Sequence, residues 1–578
     1  MEGDECVFER SVRDNEEPIL FSDKRYTFIV DSTSNQGAFS GGQIQFSLDT
    51  FNNQAQWIDL KEAVVEFPIK VTAQVTTAVG GTTTTIATAG LNSVIMKAGF
   101  HQWFNGAQLI INGQTIQSLQ SFENVAATYR ILSSWSQDNL KKWGPTLGMA
   151  LDDMTADGTN VSTAGVDTLG LSNTTGSTVM TSARGFDCVN NQATLANRGV
   201  VSRAKYNNAP VGTATVAGAI LGTSQMTNAG MSNVGYQGTA TGTTPTTANT
   251  YLYTQFMMGR VRVRDLFDIN EFPLVKNLKG FMYLNFNSFS TTLTSTAAGA
   301  TNTLASFNST PLTGLSCPYL INVGATPATS TNGITFDNGA SSTGAQVITV
   351  TGKIDGTTTG ALNSSGPLLT QARMICPFYV ANPRVDAALT KHDHRFSTYE
   401  KIVNPIICTA GQSINYTITV GVANPRKLIL LPMWQSLGSC TATATPEYSP
   451  FDSVPATSGP FAYLNQLQVY VANKPVFQYP IAYDFEMWNS EVSALGANGN
   501  VEDQLTSGLL TEQLWAQNHR YYAIDLERRT DAEDGASKSI QVSFVNPSAT
   551  YGLKVIAMVF YEKKWHIDSD ICKLSSYA

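Results

Sequence analysis

Apolar and polar residues alternate with period two over much of this chain, and one short stretch shows the pattern most clearly. Asn105 to Gln117, NGAQLIINGQTIQ, carries Leu109, Ile110 and Ile111 into an Asn112-Gly113 pair, and Thr115 and Ile116 follow. Asn-Gly between two such runs predicts a β-hairpin, because both central residues of a type I′ turn need φ > 0. The stretch recurs 360 residues further on, where Asn465 to Phe477, NQLQVYVANKPVF, aligns with it without a gap. Asn105 meets Asn465, Gln108 meets Gln468, Ile111 meets Val471 and Ile116 meets Val476.

The flanks repeat in the same order. Gln43-Ile-Gln-Phe-Ser-Leu48 matches Ser413-Ile-Asn-Tyr-Thr-Ile418, and both read as strands with one buried face. Ala63-Val-Val-Glu-Phe-Pro68 matches Lys427-Leu-Ile-Leu-Leu-Pro432. After each hairpin comes a helical stripe: Phe122, Val125, Ala126, Tyr129 and Leu132 in the first copy, and Ile481, Phe485, Trp488, Val492 and Leu495 in the second. The first of these helices is expected to run on past Lys141 and Lys142 and to stop at Gly144-Pro145. Lys279-Gly-Phe-Met-Tyr-Leu then echoes Lys538-Ser-Ile-Gln-Val-Ser. Arg373-Met-Ile-Cys-Pro-Phe-Tyr379 echoes Lys554-Val-Ile-Ala-Met-Val-Phe560. Six segments in one order, with unequal gaps, predict two copies of one domain rather than a solenoid of short repeats.

The expected order along the chain follows. Residues 1–20 form an N-terminal arm, and 21–390 form the first domain, with strands at Tyr26 to Val30, Gln43 to Leu48 and, as one long element, Trp57 to Val71. Thr76 to Gly90 is a Thr/Gly insert. Two longer inserts, near 152–250 and 290–368, are rich in Thr, Ser, Gly and Asn, and loops of that length tend to be functional or to carry their own small fold. The first is read as a surface tower punctuated by Val200-Val201 and Ala219-Ile-Leu221, the alternative being a linker without order. Ala388 to Arg395 connects to the second domain, 391–562, and 563–578 is a tail whose Trp565 and Ile567 suggest docking. Strand dominance predicts an all-β chain: two tandem jelly-roll β-sandwiches with long loop insertions and a short helix in each.

Composition sharpens this picture. At 578 residues the chain suits two large domains, and 42% hydrophobic content gives each a core. Charged residues make up only 14%, against the usual ~25%. The formal charge of −8 and the acidic start (Glu2, Asp4, Glu5, Glu9, Asp14, Glu16, Glu17) argue against a protein that neutralises nucleic acid. Seven scattered cysteines (Cys6, Cys188, Cys317, Cys376, Cys408, Cys440, Cys572) show no metal-ligand spacing, and no signal-peptide pattern precedes them. Free, mostly buried thiols in a reducing compartment are expected. No apolar run reaches the ~18–20 residues that span a bilayer.

Candidate chemistry is sparse. The chain holds no GxSxG, HExxH or P-loop, and no GxGxxG after a strand, so neither catalytic nor cofactor-binding residues are assigned. His392-Asp393-His394 would place two imidazoles on one face of a strand, where they could bind a metal, but it shows no third ligand and reads better as a solvated loop. Arg260, Arg262 and Arg264 alternate, which would put three arginines on one face. They could face phosphate, or pair with acidic neighbours such as Asp265, Asp268 or Glu271, or with carboxylates on the adjacent strand; the structural pairing is the preferred reading. Glu527, Arg528 and Arg529 are read with the same caution.

The ordered set of segments resembles the double-jelly-roll major capsid proteins of double-stranded DNA viruses, above all those of polinton-like viruses and virophages. The resemblance spans residues 20–565. It rests on Phe104-Asn-Gly-Ala-Gln-Leu-Ile-Ile-Asn-Gly113 with the helix after it, Pro377-Phe-Tyr-Val-Ala-Asn-Pro383, Val422-Ala-Asn-Pro-Arg-Lys-Leu-Ile-Leu-Leu431 and Val559-Phe-Tyr-Glu-Lys-Lys564. It implies a non-enzymatic shell protein that forms a homotrimer of near-hexagonal outline and tiles an icosahedral capsid in the virion, assembled inside the host cell. It also implies neighbouring trimers, a penton protein and other minor capsid proteins as partners, without cofactor or sequence-specific nucleic acid. An internal membrane or a host surface stays open as a further partner. The long first-half inserts depart from the family pattern, and no functional residue is carried over. The competing reading is a carbohydrate-binding or glycan-hydrolysing β-sandwich protein, which would need two carboxylates about 5–10 Å apart across a cleft. A single-jelly-roll shell protein of a small single-stranded DNA virus fits less well, given the doubled domain and the missing basic arm.

Overall fold

The computed structural model describes residues 21–32, 38–39, 41–51, 56–77, 94–153, 199, 203, 234–237, 250–298, 301–321, 335–336, 346–357, 371–389, 393–435, 446–448, 450, 462–494, 508–527, 536–549, 552–568 and 573–577. The expected N-terminal arm, most of the 152–250 insert, part of the 290–368 insert and His392 lie outside the described residues.

In chain order the first half gives β1 (Phe21–Val30), β2 (Gln43–Ser47), β3 (Trp57–Ile58), β4 (Val64–Thr77), β5 (Val94–Met96), β6 (Phe104–Ile111) and β7 (Gln114–Gln117), then helices α1 (Glu123–Ser134) and α2 (Gln137–Leu147). It continues through β8 (Val234–Gln237), β9 (Thr250–Arg262), the single turn α3 (Val263–Leu266), β10 (Gly280–Phe286), β11 (Phe289–Ala298), β12 (Thr301–Pro311), β13 (Tyr319–Ile321), β14 (Thr335–Phe336), β15 (Gln346–Ile354), β16 (Arg373–Ala381) and α4 (Pro383–Leu389). The second half gives β17 (Asp393–Cys408), β18 (Ser413–Val422), β19 (Pro425–Trp434), β20 (Asn465–Val471) and β21 (Lys474–Pro475), then α5 (Phe485–Ala494) and α6 (Glu512–Gln517). It closes with β22 (Tyr522–Asp525), β23 (Lys538–Val545), β24 (Leu553–Asp568) and β25 (Lys573–Tyr577).

Each half builds two antiparallel sheets with one strand order. The first half pairs β1-β16-β4-β9 in one sheet and β2-β10-β6-β7 in the other. The second pairs β17-β24-β19-β22 and β18-β23-β20-β21. Every segment matched in the sequence occupies the corresponding place: β2 with β18, β4 with β19, β6-β7 with β20-β21, β10 with β23, and β16 with β24. Eight strands in this order, twice, make two jelly rolls. The 290–368 stretch adds β11, β12, β14 and β15 to the first large sheet, where β15 pairs with the far end of β4.

Burial patterns explain the arrangement. β10 and β23 bury every second residue, as strands with one face on a core must. β24 instead buries Val555 to Phe560 without a break, because a helix of the other half covers its second face. Both hairpins turn through two left-handed residues, Asn112 (φ 48°) with Gly113 (φ 77°), and Ala472 (φ 49°) with Asn473 (φ 64°). Gly280 opens β10 at φ +140°, and a Cβ there would lie 2.0 Å from the Ile110 carbonyl oxygen on β6.

Three expectations need correction. The strand expected over Trp57–Val71 is two elements, β3 and β4. Between them Asp59 accepts a hydrogen bond from the Lys61 N–H at 3.1 Å, a local turn that competes with the extended chain. The helix expected to reach Gly144-Pro145 ends at Ser134, and Pro145 lies inside the separate α2, which Ser136 caps by accepting from the Asn139 N–H. The break falls at Trp135, whose extended backbone lets its indole meet Arg262 and Asp265. The alternation of Arg260, Arg262 and Arg264 does not put them on one face, since β9 ends at Arg262 and Arg264 lies in α3.

Candidate functional site: the seam between the halves and an open sheet edge

Arg260, Arg262 and Arg264 each meet a carboxylate. Glu66 on β4 is buried directly opposite Arg260 on β9 and Arg373 on β16, and its two oxygens take Arg260 Nη2 and Arg373 Nε, each at 2.5 Å. Arg262 grips Asp265 through two hydrogen bonds of 2.8 and 2.9 Å, with its guanidinium 4.7 Å from the Trp135 ring centre. Arg264 reaches Glu62 at 3.0 Å. Asp393 and His394 begin β17, and Glu527 pairs with Arg426; Arg528 and Arg529 lie outside the described residues. Among the described residues no group of three or more His, Cys, Asp or Glu is placed to hold a metal ion. Cys317, Cys376 and Cys408 are buried free thiols, and burial pushes the Cys317 thiol up to about 11.

The dominant feature, which the sequence did not disclose, is an exchange across the seam. α1 belongs to the first half, yet Phe122, Val125, Ala126, Tyr129 and Leu132 pack into the second half's core. The Tyr129 ring lies 5.2 Å from Tyr521, edge to face, and 5.9 Å from Phe560. In return Phe396, Trp565, Ile567 and Leu574 join the first half's core, where Phe272 meets Phe396 at 5.4 Å. The tail expected at 563–578 is thus largely structural: β24 runs on to Asp568, and β25 pairs with it.

Buried polar groups tie the same seam. Glu123 on α1 accepts from Arg130 Nη1 at 2.7 Å, from Gln117 Nε2 at 3.1 Å and from Lys401 Nζ of β17. Burial pulls the Lys401 ammonium below its ordinary value, against the pull of Glu123. The preceding residue on β17, Glu400, accepts from the Ser118 N–H at 2.9 Å, the Tyr561 hydroxyl at 2.7 Å, and Lys563. Burial alone would raise the Glu400 carboxyl; its bonds to Lys563, Ser118 and Tyr561 outweigh burial and hold it below the ordinary range. His519 bonds the Asp152 carbonyl at 2.9 Å, and burial lowers its imidazole's affinity for a proton.

The second feature is an edge. β1 pairs only with β16 among the described residues, which leaves its other side open. Along it Tyr26, Phe28 and Val30 stand 66%, 61% and 40% exposed at alternate positions, while Ile29 between them is buried. An apolar stripe on an unpaired edge is a surface that another chain can cover.

These sheets and this seam define a double-jelly-roll protein. No family model matches the chain, and no curated protein does. Among solved structures, a chain of the 3.5 Å cryo-EM structure of the Sputnik virophage aligns over 96% of this chain and 89% of its own, at 13% identity and a TM-score of 0.50. The mavirus major capsid protein aligns over 96% and 90%, at 10% identity and a TM-score of 0.41. The Faustovirus major capsid protein aligns over 97% and 93%, at 10% identity and 0.43. At such identities the likeness is one of fold.

Proposed function

We propose that this chain is a major capsid protein that trimerises into near-hexagonal capsomers and tiles an icosahedral shell around a double-stranded DNA genome. The observation that carries the reading is the seam: two jelly rolls of one strand order, locked together by exchanged core residues, form a unit that three copies turn into six similar lobes about one axis. The fold shared with a chain of the Sputnik virophage particle supports it. In this reading 21–390 and 391–562 are the two lobes, the inserts near 152–250 and 290–368 are outward towers, and residues 1–20 are an inner arm. The β1 stripe is the natural contact between copies, because burying Tyr26 and Phe28 removes large apolar area from water. Penton and minor capsid proteins would fill the vertices. Negative-stain images of the purified chain test the proposal: near-hexagonal plates or closed shells support it, and a field of single particles with two lobes overturns it.

A further inference from the structure

The halves share one strand order, so a surface on one has a counterpart on the other. Tyr379 on β16 matches Phe560 on β24. Lys24 stands opposite Tyr379, and Lys401 stands opposite Phe560. In this register Ile29 falls on Ile406, each buried in its own half's core, and Val30 falls on Ile407, both exposed. Asp23 and Lys24 therefore correspond to Glu400 and Lys401, the two residues of β17 that the seam engages. On the second half that place is covered by the segment after the first hairpin. Ser118 reaches Glu400, Glu123 meets Lys401, and Tyr129 lies against Phe560. On the first half the counterpart place is bare: Lys24, Arg25 and Tyr26 are exposed, with Lys24 Nζ 5.4 and 5.2 Å from the ring centres of Tyr26 and Tyr379.

The segment after the second hairpin is bare too. The gapless match of the two hairpins carries Ser118 to Gln478 and Leu119 to Tyr479. Gln478, Tyr479 and Pro480 are exposed, Tyr479 by 69%, and Asp484 and Glu486 hold exposed carboxylates at the start of α5. Each half thus leaves uncovered the side of the contact that the other half uses in the seam. We propose that the contact made within the chain is repeated between chains: residues 478–486 of one copy cover the corner of Lys24, Tyr26 and Tyr379 on the next. Tyr479 packs against the two tyrosine rings, and Asp484 and Glu486 face Lys24. The proposal rests on the capsomer reading and names the surface that meets β1. Such a contact runs head to tail and closes into a ring, whereas two β1 stripes meeting each other would stop at a dimer.

The test uses the full chain with the photo-reactive p-benzoylphenylalanine in place of Tyr479, irradiated at micromolar concentration, with the cross-linked peptides mapped by mass spectrometry. Links from position 479 should reach Lys24, Tyr26 or Tyr379 of another copy. In sedimentation velocity Tyr479→Asp should assemble only at a concentration roughly tenfold or more above that of the wild type. Its circular dichroism should be unchanged, because the side chain it alters is exposed. Oligomers that link from position 479 to a different surface, or that form in Tyr479→Asp as readily as in the wild type, overturn the proposal and leave the capsomer reading standing. A wild-type chain that stays monomeric overturns both.

Discussion

Glu123 and Lys401 are 278 positions apart in the chain and meet where both are closed to water. Lys401→Met leaves Glu123 with Arg130 as its one remaining cation, and is expected to cost about 3 kcal/mol of unfolding free energy. The check is urea denaturation, with a lower midpoint at unchanged slope; a change under about 1 kcal/mol would mean that the pair adds nothing net. Glu400 supplies a pH dependence. Its folded value lies below the ordinary 4.5, so the linked stability is fully present above that value and is lost as pH falls through the folded one. Glu400→Gln removes this component, so the wild type should lose stability more steeply than the variant as pH drops below 4.5; parallel curves would contradict it. None of these pairings was legible in the sequence, because a carboxylate's partner is set by the docking of two halves and not by local spacing. The partners of Arg262 and Arg264 were closer to hand. Asp265 stands three residues from Arg262, while Glu62 reaches Arg264 from the turn just before β4, a neighbour only sheet pairing reveals.

At the scale of elements, alternation and turn chemistry carried the reading far. The two hairpins, the strand pairs β2 with β18 and β10 with β23, and the apolar stripe of α1 all follow from periods of two and 3.6. What the stripe packs against did not follow: its spacing names no partner, and it serves the other half's core. The split at Trp135 escaped for a similar reason, since a tertiary contact with Arg262 and Asp265 ends the helix where local propensity would continue it. β1 read as an ordinary strand, and only its edge position makes Tyr26 and Phe28 conspicuous. The double change Tyr26→Lys with Phe28→Lys should abolish self-association while leaving the monomer folded, since charged residues are how edge strands resist pairing. Sedimentation velocity beside circular dichroism checks this; unchanged oligomers would move the contact to another surface.

Across the whole molecule the doubled fold was visible in the sequence and its fusion was not. Two tandem domains joined by a linker melt independently, whereas two that exchange core residues do not. Because α1 completes the second core, and Trp565, Ile567 and Leu574 complete the first, scanning calorimetry should give one cooperative transition for both halves. Two resolved peaks would contradict a shared seam. In the proposed capsomer, fusion would let lateral contacts act on both lobes together. Light scattering on the purified chain at micromolar concentration tests that claim most directly. The account predicts a stable particle of three times 62.2 kDa that resists dilution; a monomer that persists at that concentration would contradict it.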